Sequence, residues 1–169
     1  MAKKLFIAIT LTAISFAINP ATSFSRDNVV VNQAKAAGLQ DNLKTVEELA
    51  GFLTDNANNF GSHSIWSTDA GDRRMFTSVI ESVYSDGSIF NFMAVSPDLD
   101  SSIPDYAYVR IFYEPQTMID VRENLYGDWA YKGILANNVI MLNSGDLHVY
   151  LMPAGSGTLV VRRELGAGF

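Results

Sequence analysis

The chain contains no cysteine and only two histidines among its 169 residues. Without thiols it can form no disulfide bond, no cysteine-based zinc site and no thiol redox centre. Two histidines are too few for a three-histidine zinc site, and no His-Glu-x-x-His motif occurs. The Gly-x-Ser-x-Gly and Ser-x-x-Lys motifs of serine hydrolases and the phosphate-binding glycine loops are also missing. We therefore predict no metal, no cofactor and no catalytic residues.

Positive charge is also in short supply. The sequence has 12 lysines and arginines against 18 aspartates and glutamates, which gives a formal net charge of −6. Its basic residues form no stripe, since Arg73-Arg74 and Arg162-Arg163 are isolated pairs. An acidic surface repels nucleic acid and anionic lipid, so neither is predicted as a partner.

The N-terminal segment has the layout of a secretory signal peptide. Lys3 and Lys4 precede an uncharged, largely apolar run over residues 5–18, and the small residues 21–23 suit a cleavage site. The sequence therefore predicts a signal peptide over residues 1–23 and a protein that works in the periplasm or outside the cell.

Retention of the same segment as a membrane anchor is the alternative. A spanning helix needs about 20 apolar residues, with about 17 as the lower limit, and residues 5–21 just reach that limit. The protein would contact a membrane only in that case, because a chain without cysteine cannot carry a lipidated cysteine.

The remaining chain is long enough for one domain. Residues 24–43 are polar and broken, and we predict an extended leader there or a lone strand at the apolar cluster Val29–Val31. A single globular domain is predicted over residues 44–165, followed by a loose tail over 166–169.

One helix is predicted to begin at Thr45. Thr45 and Glu48 have the spacing of a capping box, with threonine at the N-cap and glutamate three residues later. Apolar residues then recur at helical spacing up to the stop signal at Gly61. These residues are Val46, Leu49, Ala50, Leu53, Ala57 and Phe60.

The rest of the chain favours antiparallel strands. Asp86-Gly87 predicts a hairpin in which Tyr84 pairs with Ile89. Residues 116–126 favour a helix after Pro115, although a strand is the competing interpretation. Strands are predicted at 74–84, 88–96, 106–113, 129–135, 139–143, 147–152 and 158–165.

The predicted fold class is α+β. An amphipathic N-terminal helix would pack on a twisted, mainly antiparallel sheet of about six or seven strands, with a second helix between strands three and four. A small antiparallel barrel with flanking helices is the alternative.

Aromatic residues supply one candidate site. Tyrosine and tryptophan suit interfaces because each joins an apolar body to a polar tip. They could form a pocket or a partner surface, against the plainer interpretation that they fill the core. The candidates are Phe90, Phe92, Tyr106, Tyr108, Trp129, Tyr131 and Tyr150.

His148 supplies the second candidate site. The predicted strand register aligns Met141, His148 and Arg163 across one face, with Tyr150 in the next row. A histidine beside an arginine could bind an anion or act as an acid or base, and an exposed polar row is the plainer interpretation.

Three functions follow from these patterns. The favoured hypothesis is an exported, non-catalytic module that binds a protein partner or a small apolar ligand through an aromatic sheet face. The second is a small exported hydrolase or lyase that uses His148 and Arg163. The third is a subunit of an envelope complex, held by an uncleaved N-terminal helix.

Overall fold

The computed structural model describes residues 28–67, 73–96, 105–136 and 138–167, so the predicted signal segment lies outside the described residues. Within these ranges the helices are α1 (Val29–Ala36), α2 (Leu43–Thr54) and α3 (Met118–Leu125). The strands are β1 (Asn59–Ile65), β2 (Phe76–Tyr84), β3 (Gly87–Ser96), β4 (Asp105–Glu114), β5 (Ala130–Leu135), β6 (Val139–Ser144), β7 (Leu147–Ala154) and β8 (Gly157–Ala167).

All the strands form one antiparallel sheet in the order β1-β2-β3-β4-β8-β7-β6-β5. Helical segments followed by a four-stranded meander occur twice along the chain, and the two meanders join where β4 pairs with β8. The α+β class and the antiparallel sheet are confirmed. The sheet has eight described strands and two free edges, so it is open and the alternative of a barrel is wrong.

All three helices lie on one side of the sheet, which we call the helix-covered face. Helices α1 and α2 cover β1–β4, and α3 covers the half formed by β6–β8. The side chains beneath them form two buried clusters that hold most of the described core. Their members on the sheet include Phe76, Ile80, Met93 and Tyr108 in one cluster, and Leu142, Val149, Leu151 and Val160 in the other.

Helix α1 replaces the predicted strand at Val29–Val31. The Asn28 side chain caps the helix by accepting a hydrogen bond from the Val30 amide at 2.9 Å. Val30 and Ala34 are fully buried, and the Gln33 side chain reaches β1, where it accepts a hydrogen bond from Ser62 at 3.3 Å. β-Branched valines disfavour a helix only slightly, so burial of one helical face outweighs their propensity.

The N-cap of helix α2 lies three residues before its predicted position. Its N-cap residue is Asn42, and Thr45 is buried inside the first turn, so the predicted capping box is wrong. The helix ends at Thr54, because Asn56 takes a left-handed conformation with φ 56°. The chain then turns into β1, which begins at Asn59. The predicted helix, which extends to Phe60, is therefore too long.

The hairpin of β2 and β3 forms two residues away from its predicted register. Tyr84 pairs with Gly87, so Ser85 and Asp86 form the turn. Side chains alternate between faces with a period of two, so this displacement leaves every residue on its predicted face.

The helix predicted after Pro115 is confirmed as α3. No helix among the described residues is long and apolar enough to cross a membrane.

Candidate interaction surface

The side of the sheet opposite the helices is the candidate site, and we call it the open face. Two rows of side chains cross its centre, and none of them is buried. The first row runs from β1 to β6 through His63, Val79, Phe92, Val109, Arg163, His148 and Asn143. The second row runs from β2 to β6 through Glu81, Phe90, Ile111, Val161, Tyr150 and Met141.

Apolar side chains dominate the middle of the open face. Phe90 and Phe92 are 48% and 37% exposed and project from the same side of β3. Val109, Ile111 and Val161 continue this apolar region across β4 and β8, where they are half-buried. A contiguous exposed apolar region of this kind is typical of an interaction site, whereas a single exposed apolar residue is not.

His148 and Arg163 are direct cross-strand partners on the open face, as their alignment in the sequence predicts. The predicted place of Met141 in this row is wrong. Asn143 pairs with His148, and Met141 pairs with Tyr150 in the next row. Residues 145 and 146 form the β6–β7 turn. The pairing of β6 with β7 is therefore displaced by two residues from the predicted register. His63 lies in the same row through its strand β1, which is not among the strands predicted from the sequence.

The surroundings of His148 do not resemble an acid–base centre. Its partners on the two adjacent strands are Arg163 and Asn143, and neither is a carboxylate that could orient the imidazole. The groups of acidic and histidine side chains among the described residues also include none that could hold a metal ion. Arg163, His148 and Asn143 therefore provide a polar margin beside the apolar region.

Three predicted site residues lie on the helix-covered face. Tyr106 and Tyr108 are 8% and 1% exposed, and their hydroxyls donate hydrogen bonds to the Glu164 carboxylate at 2.9 and 2.7 Å. Burial raises the pKa of Tyr106 to about 12, and the hydrogen bond to Glu164 acts in the same direction. Trp129 packs edge-on against Tyr126 in the second core cluster. The predicted aromatic set is thus divided between two faces.

A second apolar surface lies beside α3, and Tyr131 is the one lining residue that the sequence-based prediction includes. It is a shallow cleft of about 380 Å³, lined by Ile119 and Arg122 of α3 and by Tyr131, Ile134 and Ile140 of β5 and β6. Ile119 is 62% exposed and Ile134 is 52% exposed. The local sequence does not reveal this cleft, because its lining comes from elements that meet only in the folded chain.

Comparison with protein-family models, with curated proteins and with solved structures gives no match to this chain. The fold defines the class of protein as α+β, with an open antiparallel sheet covered by helices on one face. We therefore infer the function from the chemistry of the two faces.

Proposed function

We propose that this protein is an exported, non-catalytic interaction module that binds a protein partner through the open face. The observation that carries the proposal is the pair Phe90 and Phe92, exposed within a continuous apolar region that no described helix covers. Exposed aromatic side chains surrounded by smaller apolar residues are typical anchors of protein interfaces.

The dimensions of the open face favour a protein over a small molecule. Eight strands spaced at about 4.8 Å extend about 34 Å, and a strand of six residues is about 20 Å long. The face therefore offers roughly 700 Å², which approaches the 800 Å² or so that each partner contributes to a standard interface. Arg163 and His148 provide the polar margin that such interfaces have.

Export remains a prediction from residues 1–23. Small exported domains with weak cores usually depend on disulfides, and this cysteine-free chain instead buries two apolar clusters beneath its helices. If the segment is retained, residues 5–21 would hold the module at the outer side of the cytoplasmic membrane, as a subunit of an envelope complex. The open face would bind its partner in either case.

Co-purification from the native host tests the proposal. We expect the wild-type chain to retain a discrete protein at a fixed ratio, and Phe92→Ser to lose it because the central anchor is gone. Leu125→Ser is the matched control, since Leu125 is 48% exposed on α3, on the opposite side of the sheet. Equal retention by both variants, or no retained protein with the wild type, would contradict the proposal.

A small apolar ligand bound in the cleft beside α3 is the second candidate function. The cleft's volume of about 380 Å³ lies within the usual range for ligand pockets, and apolar side chains form most of its lining. Ile134→Ser should abolish saturable binding of an apolar fluorescent probe to the cleft, whereas Phe92→Ser should leave that binding intact. Equal probe binding by Ile134→Ser and the wild type would refute this candidate.

A further inference from the structure

Two arginines face each other at the centre of the helix-covered face. Arg110 of β4 and Arg162 of β8 are direct cross-strand partners. They lie at the junction of the two halves of the sheet, and the Arg110 guanidinium carbon is 5.3 Å from the ring centroid of Phe52 in α2. Like charges placed directly opposite each other destabilise a sheet, so this pair needs an explanation.

Neither arginine forms an ion pair with a described residue. The ion pairs among the described residues are Lys35–Glu47 and Lys44–Glu48, and both lie in the helices.

Two carboxylates share this face of the central strands. Glu164, two residues after Arg162 in β8, accepts hydrogen bonds from Tyr106 and Tyr108. Glu114 lies four residues after Arg110 in β4, and burial raises the pKa of its carboxyl, with Asp86 acting in the same direction. The Glu164 carboxylate is thus engaged by the two tyrosine hydroxyls, and the causes that shift the pKa of Glu114 are burial and Asp86, not either arginine.

The guanidinium groups are also incompletely hydrogen-bonded. The Nε atoms of Arg110 and Arg162 are both buried, and neither has a hydrogen-bond partner among the described residues. Burial lowers the pKa of Arg110, and the charge of Arg162 acts in the same direction, while Tyr84 opposes the shift through its charge and a hydrogen bond. Unpaired buried donors on charged groups are rare in native proteins and commonly indicate a bound ion or water.

We propose that Arg110 and Arg162 form a binding site for an oxyanion, a phosphate or carboxylate group, at the junction of the two sheet halves. Each guanidinium presents a planar fork of donors that matches such a group, and an anion between them would remove the repulsion of the pair. Both residues remain partly exposed, so the site is open to solvent. This inference does not depend on the open face.

Titration of the full chain with inorganic phosphate, and in parallel with acetate, at constant ionic strength tests the site. We expect saturable binding by calorimetry and a matching rise in Tm for at least one of the two anions. The anion that gives the larger rise identifies the preferred chemistry. Arg162→Met should weaken binding at least about tenfold, since one charge-assisted hydrogen bond is worth roughly that factor in affinity.

Arg74→Met is the matched control, because Arg74 is exposed in the segment before β2 and belongs to neither face of the central strands. It removes the same charge and should keep the anion response. Without anion, Arg162→Met should fold at least as stably as the wild type, since it relieves a buried like-charge contact. Arg162→Lys keeps the positive charge but loses the planar guanidinium donors, so it should also weaken binding. This variant serves as the test if Arg162→Met unfolds. Absence of saturable binding to the wild type, or equal responses of the Arg162 and Arg74 variants, would overturn the site.

Discussion

Adjacent residues of β3 allow a direct comparison of the two faces of the sheet. Met93 is fully buried beneath α2, whereas its neighbour Phe92 is 37% exposed on the open face. We expect Met93→Ala to reduce the free energy of unfolding much more than Phe92→Ala, although Phe92→Ala removes the larger side chain.

The expected magnitudes follow from what surrounds each side chain. Truncation of a buried methionine to alanine costs about 2–5 kcal/mol, because the transfer energy is lost and a cavity remains. A fully buried phenylalanine would cost about 3–5 kcal/mol. Phe92 has no covering layer in the described structure, so no cavity forms, and we expect about 1 kcal/mol from its contacts within the sheet.

Urea unfolding followed by far-ultraviolet circular dichroism measures both variants. Equal m values would show that the change is in stability and not in the surface exposed on unfolding. Measurement at low protein concentration keeps self-association from stabilising the wild type. If Phe92→Ala lowers the free energy of unfolding as much as Met93→Ala does, Phe92 is not exposed as described. Such a result would mean that the open face is covered in the isolated chain.

Three further predictions concern the core, the central strands and the first helix. Because the pKa of Tyr106 is raised to about 12 and burial also raises that of Tyr108, the folded state holds protons that the unfolded state releases above pH ~10. Stability should therefore fall as the pH rises from about 10 to 12, and Tyr108→Phe should flatten this decline; unchanged wild-type stability would contradict it. Gly157→Ala should lower Tm, because its added methyl would meet a backbone carbonyl and an aromatic ring of β4, whereas Gly61→Ala meets nothing within 4 Å and should be neutral. Asn28→Ala should cost about 1 kcal/mol in chemical unfolding through loss of the α1 cap, and an unchanged midpoint would argue against that cap.

The sequence predicts which residues share a face better than it predicts which residues pair. In both tested hairpins the turn lies one residue from its predicted place, at 85–86 and at 145–146, so the pairing register is displaced by two residues. A displacement of two residues preserves the alternation of side chains, so the faces remain correct while individual partners change. Helix α1 was beyond local prediction, because its stability depends on packing against α2 and β1.

The candidate site could be predicted only in part, for a related reason. Strands β3 and β4 have apolar residues on both faces, so the sequence does not decide which face the helices cover. Phe90 and Phe92 are on the open face, whereas Tyr106 and Tyr108 are beneath α1 and α2. The pairing of Arg110 with Arg162 joins strands that are distant in the sequence, and no local pattern indicates it.

Photo-cross-linking in the native host tests directly whether the open face binds a protein partner. A photoreactive phenylalanine analogue is placed at position 92 on the open face or, as the control, at position 125 on the exposed side of α3. We expect a discrete adduct with another protein from position 92 and none of the same mass from position 125. No adduct from position 92, or the same adduct from both positions, would contradict the claim that the open face binds a partner.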